Sequence, residues 1–208
     1  MTQTQETNKK RHWLWLALCL LAYVLPWTMN PGAGLTMGAY DFAELLNKRN
    51  VYDDVSYATM LLLRGQLVLL TAYVVTMIRR PFLTIHWFVG AAFGLLLVVA
   101  QLPPLTFINN TGDINQKMQA MLAGISGLIW LVGLSGVVWE IRHWARLFIG
   151  IAGFGTALFA LVNAIAILSV YNLPSLVGFG GVVMIILYGV LIVWEGRVFA
   201  KARNRAEP

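Results

Sequence analysis

The sequence predicts an all-α integral membrane protein of six transmembrane helices in three hairpins, with a short amphipathic surface helix in the first external loop. Three observations carry that expectation. Of the 208 residues, 59% are hydrophobic and 12% charged, against about 45–50% and about 25% in a soluble domain. Six apolar runs, each close to the roughly 20 residues needed to cross about 30 Å of hydrocarbon, fill the chain between residues 13 and 194. The Lys and Arg residues cluster between alternate runs, as in proteins oriented by positive charge. A single membrane domain over 1–208 uses the whole length and leaves none for an aqueous domain.

The first run, 13–29, follows a basic tail over 1–12 that holds Lys9, Lys10 and Arg11. The layout is that of a secretion signal, but no A-x-A site follows, so a retained helix is expected. Cys19 is the only cysteine, which excludes an internal disulfide, and Leu16-Ala17-Leu18 before it does not suit lipidation. The longest connection, 30–56, comes next. Within it Ala39 to Arg49 sets Phe42, Leu45 and Leu46 on one helical face, with Asp41 and Glu44 near the start and Lys48 and Arg49 near the end, the order that a helix dipole favours. A surface helix is expected there, opened by the turn Asn30-Pro31-Gly32-Ala33-Gly34. Asp53 and Asp54 stand where the second span, 57–78, needs its N-cap. Further spans are expected at 83–102, 119–139, 147–168 and 175–194, before a basic tail over 195–208. Each must be helical, because lipid offers backbone groups no partners.

Placing the amino terminus inside puts Lys9, Lys10, Arg11, Arg79, Arg80, Arg142, Arg146, Arg197, Lys201, Arg203 and Arg205 in cytoplasmic segments and leaves only Lys48, Arg49 and Lys117 outside. The expectation is a multi-pass protein of a bacterial inner membrane with both termini cytoplasmic. The net charge of +6 then reflects orientation in the bilayer and implies no nucleic-acid partner. Three His-Trp pairs, His12-Trp13, His86-Trp87 and His143-Trp144, recur at the starts of odd-numbered spans. A repeat or a haem ligand pair is one reading. Only His86 falls inside a span, however, and a histidine beside a tryptophan in a charged flank serves as an interfacial residue. No cofactor and no metal are expected.

Arg64 is the best single functional candidate. It lies about 15 Å along the second span from Asp54, where a charge costs several kcal/mol unless it is paired or reaches the headgroups. Gln66 follows it, and Asp41 and Glu44 of the surface helix are the nearest acids in sequence. They form a candidate ligand-binding or ion-pair set. Small residues mark close-packing faces: Gly90 and Gly94 in the third span, Gly124 and Gly127 in the fourth, Gly153 and Ala157 in the fifth, Gly181 in the sixth.

Two family likenesses stop short. Gly124-Ile125-Ser126-Gly127 has the Gly-x-Ser-Gly spelling of rhomboid proteases, yet the sixth span has no histidine to act as base. Size, six spans and a lid-like loop resemble the substrate-binding subunits of energy-coupling-factor transporters in architecture alone. The leading expectation is a non-catalytic subunit packing against membrane partners, or itself, in a transport or energy-transducing assembly. The alternative is a small-solute binding or transport protein with its site under the first external loop near Arg64. An enzyme ranks third, since no nucleophile and base come together.

Overall fold

A computed structural model describes residues 3–30, 35–48, 54–78, 84–104, 114–170 and 176–203. The protein is mostly helical: α1 (Gln3–Val24), α2 (Ala39–Lys48), α3 (Asp54–Val75), α4 (Ile85–Val99), α5 (Ile114–Leu134), α6 (Arg142–Val170) and α7 (Phe179–Arg203). Four of these, α3, α5, α6 and α7, are long and apolar enough to cross a membrane. The first third of α1 is polar, and α4 spans 15 residues, about 22 Å at 1.5 Å per residue.

α3 is the centre of the bundle. Of its most apolar stretch, 61% is buried, against 33% for α5, 39% for α6 and 22% for α7. It packs against α6, α5, α4 and α2, and a helix surrounded on all sides must be apolar all round or satisfy its polar groups internally. Both occur: Leu63, Leu70 and Tyr73 are fully buried, and so are Thr59, Gln66 and Thr71. α4 and α5 run antiparallel, with Trp130 Nε1 donating to the Ala91 carbonyl and Trp87 Nε1 to that of Leu134. α6 and α7 pack antiparallel through Gly153 against Tyr188 and Gly150 against Ile192. The expected first hairpin does not form a unit of its own: α1 lies chiefly against α7, where Trp15 Nε1 donates to the Leu187 carbonyl at 2.8 Å.

The ends of several expected spans shift. α1 stops at Val24, because Pro26 disfavours helical geometry in the residue before it. The chain then enters a small antiparallel sheet of β1 (Thr28–Asn30), β2 (Leu35–Met37) and β3 (Leu176–Val177), in the order β2-β1-β3. Thr28 faces Met37 on one side and Val177 on the other. This sheet joins the end of α1 to the start of α7, and fully buried Trp27 anchors it through Nε1 to the Ala22 carbonyl. A Cβ on Gly178 or Gly180 would strike the backbone of residues 25–27, so these two glycines serve the sheet junction. α5 begins at Ile114, earlier than the expected 119, and ends at Leu134, where Ser135 and Gly136 turn the chain, Gly136 with φ of 70°.

Contacts define two ends. The sheet end carries the end of α1, α2 and the starts of α3, α5 and α7. The tail end carries the start of α1, the end of α3, the start of α6 and the end of α7.

Candidate functional site

At the sheet end α2 forms one turn after another over α3. Its apolar face, Ala39, Phe42, Ala43 and Leu46, is buried against the bundle, while Asp41 on the other face is exposed and accepts a hydrogen bond from the Gly38 amide at the helix start. Glu44 points inward. There it meets Arg64, which is only 3% exposed. Arg64 Nη2 donates to Glu44 Oε1, and Nη1 donates to Asn115 Oδ1 on α5. Gln119 Nε2, one turn further along α5, donates to the same Glu44 oxygen at 3.1 Å. The Tyr40 ring lies 5.7 Å from the guanidinium carbon, within cation–π range. Three helices therefore converge on one cation, and the acid that neutralises it comes from the amphipathic segment of the loop.

The cluster is not fully satisfied. Arg64 Nε, Tyr23 Oη and Gln119 Oε1 are buried and have no hydrogen-bond partner among the described residues. All three residues line one small cavity of about 10 Å³ beneath α2, together with Tyr40, Leu67 and Leu122. That volume is about what one water centre occupies. The three residues that carry an unpaired buried atom thus share one cavity.

Of the residues expected here, the structure brings Arg64 and Glu44 together and leaves two out. Asp41 is spent on the start of α2. Gln66 lies on another face of α3 and donates to Thr156 Oγ1 of α6 at 3.0 Å, so it ties helices and does not reach Arg64. Lys48, Arg49 and Asp53, expected to close α2 or cap the next helix, fall on residues whose side chains lie outside the described part. Ser126 donates to Gln101 Oε1 at 3.0 Å and joins α5 to the end of α4. His86 is exposed on α4.

The small residues are mostly used inside the chain. A Cβ at Gly94 would enter the Trp130 ring, at Gly153 the Tyr188 ring, and at Gly181 would press on Leu161 and Trp27, while Gly90 faces Ile78 and Ala157 is fully buried. Gly127 has only ordinary contact with Val98. Gly124 alone of this set opens on free space.

A second polar cluster at the tail end was not expected as a site. Arg146 of α6, also 3% exposed, donates through Nε to Thr76 Oγ1 at 2.8 Å and through Nη2 to the Thr76 carbonyl at 3.1 Å. Its Nη1 lies 3.7 Å from Glu195 Oε1 of α7 and 2.9 Å from His12 Nε2 of α1. A guanidinium only donates, so His12 Nε2 accepts; the imidazole is then the neutral Nδ1–H tautomer, and Nδ1 donates to Tyr73 Oη at 2.6 Å. Glu195 Oε2 pairs with His143 Nδ1 at 2.7 Å, and the Trp194 ring stacks on His12 with centroids 4.6 Å apart. The histidines of two of the three His-Trp pairs, His12 and His143, therefore serve one internal clasp. The only signal for it in the sequence is the placement of Glu195 and Arg146 at span ends, where orientation in the bilayer already accounts for the arginine.

The chain matches no protein-family model, no curated protein and no solved structure. The site is therefore read from its own geometry.

Proposed function

We propose that the protein crosses a bacterial inner membrane six times, through α1 and α3 to α7 with both termini cytoplasmic, and binds or transports a small anionic solute at Arg64 under α2. The distribution of Lys and Arg supports the orientation. The observation that carries the functional part is that Tyr23, Arg64 and Gln119, which line one cavity, each have a buried polar atom (Oη, Nε and Oε1) without a partner among the described residues. A buried arginine kept for packing alone has every reason to satisfy all its nitrogens, since each idle buried polar atom costs about 1–3 kcal/mol. Here the counter-ion is also more exposed than the cation: the Glu44 side chain is 28% exposed against 4% for Arg64. Glu44 can withdraw toward solvent with α2, and a carboxylate or phosphate of a solute takes its place in the bidentate geometry that a guanidinium favours. The cavity of the closed form then grows by the volume that Glu44 leaves.

Melting of the purified protein in mild detergent, with a panel of small carboxylates and phosphate esters, tests this. At least one anion should raise the midpoint for the native chain, Arg64→Met should abolish the rise, and Glu44→Gln should enlarge it by removing the competitor. A panel without effect on a folded protein, or a rise that survives Arg64→Met, overturns the reading.

One observation favours the second reading, a subunit of a larger membrane assembly. The outward face of α5 exposes Met121, Ile125 and Leu128 around the open Gly124. Packing through small residues in lipid needs such a face. Gly124→Leu should then release a copurifying membrane protein while the fold stays intact.

A further inference from the structure

At the tail end a groove runs between α1 and α7, with a volume of about 680 Å³. Its walls are Leu14 and Leu18 from α1 and Val190 and Val193 from α7, all exposed, and Trp15, bonded to the Leu187 carbonyl, joins the two helices along it. Arg11 and Arg197 stand at its end nearest the chain termini. Both are exposed, and neither forms an ion pair with a described residue. Glu195, the closest acid in sequence to Arg197, is buried in the clasp with Arg146 and His143. Exposed apolar side chains are ordinary on a bundle that faces lipid. What sets this place apart is a concave apolar trough that ends in two cations without a counter-charge among the described residues.

We infer that the groove holds an anionic phospholipid, with its phosphate between Arg11 and Arg197 and an acyl chain along Leu14, Leu18, Val190 and Val193. Charge complementarity favours this occupant: the headgroup brings the missing negative charge, and basic pockets between membrane helices collect such headgroups. Size agrees. The lined stretch covers about 10 Å of α1 and about 16 Å of α7, an elongated shape that suits an acyl chain. The site is separate from Arg64 and does not depend on what binds there.

Native mass spectrometry of the full chain in detergent, titrated with phosphatidylglycerol or with phosphatidylcholine, reads this directly. The native protein should retain one phosphatidylglycerol per chain with an affinity at least about tenfold above phosphatidylcholine. Arg11→Gln with Arg197→Gln should erase the preference, and Arg11→Lys with Arg197→Lys should keep most of it. Val190→Trp, which projects into the open trough with the arginines unchanged, should reduce retention of both lipids. Melting midpoints check that the variants fold; the lysine and tryptophan variants keep the inference testable if the glutamine pair does not. Equal retention of the two lipids by the native chain, a preference that survives the glutamine pair, or unchanged binding in Val190→Trp overturns it.

Discussion

Arg64 and Arg146 are buried to the same extent and each faces a glutamate from another helix; Arg64 lies midway along α3, whereas Arg146 meets the far end of that helix at Thr76, about 18 Å beyond Arg64 along the axis. The two environments nevertheless differ in kind. Every nitrogen of Arg146 has a partner, the partners include fixed backbone and hydroxyl groups of α3, and Glu195 is 1% exposed. Arg64 has an idle Nε, two further polar atoms beside it are idle, and its glutamate comes from a ten-residue helix outside the main bundle. A satisfied network rigidifies, while a partly satisfied one has something left to bind. The difference supports a structural clasp at the tail end and the exchangeable contact proposed for the sheet end.

The sharpest way to break the comparison is to remove each cation. Arg146→Met leaves buried Glu195 with His143 as its remaining partner and takes from His12 Nε2 and the Thr76 carbonyl the donor that each accepts from, and loss of one partner of a buried pair costs about 3–5 kcal/mol. Arg64→Met leaves Glu44, which keeps its bond from Gln119 and reaches solvent by moving with α2, so a smaller loss of about 1–2 kcal/mol is expected, drawn from the hydrogen bonds of Arg64 to Asn115 and Glu44. Unfolding midpoints in one detergent compare the two. Equal losses would mean that Glu44 is as firmly trapped as Glu195, and the exchangeable contact would fail.

The glycines give the next contrast. Gly153 lies under the Tyr188 ring, whereas Gly124 has no neighbour within 4 Å. Leucine at 153 must push α6 from α7 and should destabilise by about 1–3 kcal/mol or more. Leucine at 124 should change the unfolding midpoint little. A thermal scan of both variants checks this, and a marked loss at 124 would reveal an unrecognised contact on the outward face of α5.

Arg64 was legible in the sequence because a charge inside an apolar run has to be explained, and Glu44 because the periodicity of Ala39 to Arg49 announces a helix with acids near its start. Asn115 and Gln119 were not, since they stand at the edge of a span, where polar residues are ordinary. Arg146 was hidden for the same reason: a basic residue at a span end is already accounted for by orientation, and its contact with His12 bridges 134 positions that no local pattern links. Strands of two and three residues are too short to show alternation, so the sheet left no trace beyond Pro26. Small-residue spacing tells that a backbone approaches something closely, but not whether the neighbour is the chain itself, and Gly94, Gly153 and Gly181 all turned out to face inward partners of their own chain.

The finest test uses two buried tyrosines, one in each cluster. Tyr73 Oη receives the His12 proton at 2.6 Å, and that bond supports the tautomer through which His12 accepts from Arg146. Tyr73→Phe removes one partner of a buried bond and should cost about 1 kcal/mol, the usual net worth of such a contact. Tyr23 Oη is buried with no partner among the described residues and lines the cavity beside Arg64. Deleting an unsatisfied hydroxyl removes its desolvation cost along with it, so Tyr23→Phe should leave stability within about 0.5 kcal/mol or raise it slightly. If the idle hydroxyl waits for a solute, the same variant should weaken the stabilisation by the responding anion severalfold, an effect that Tyr73→Phe should not produce. A Tyr23→Phe protein that melts well below the native chain without any ligand would mean that its hydroxyl already has a strong partner, and the proposed binding site would lose one of the three atoms on which it rests.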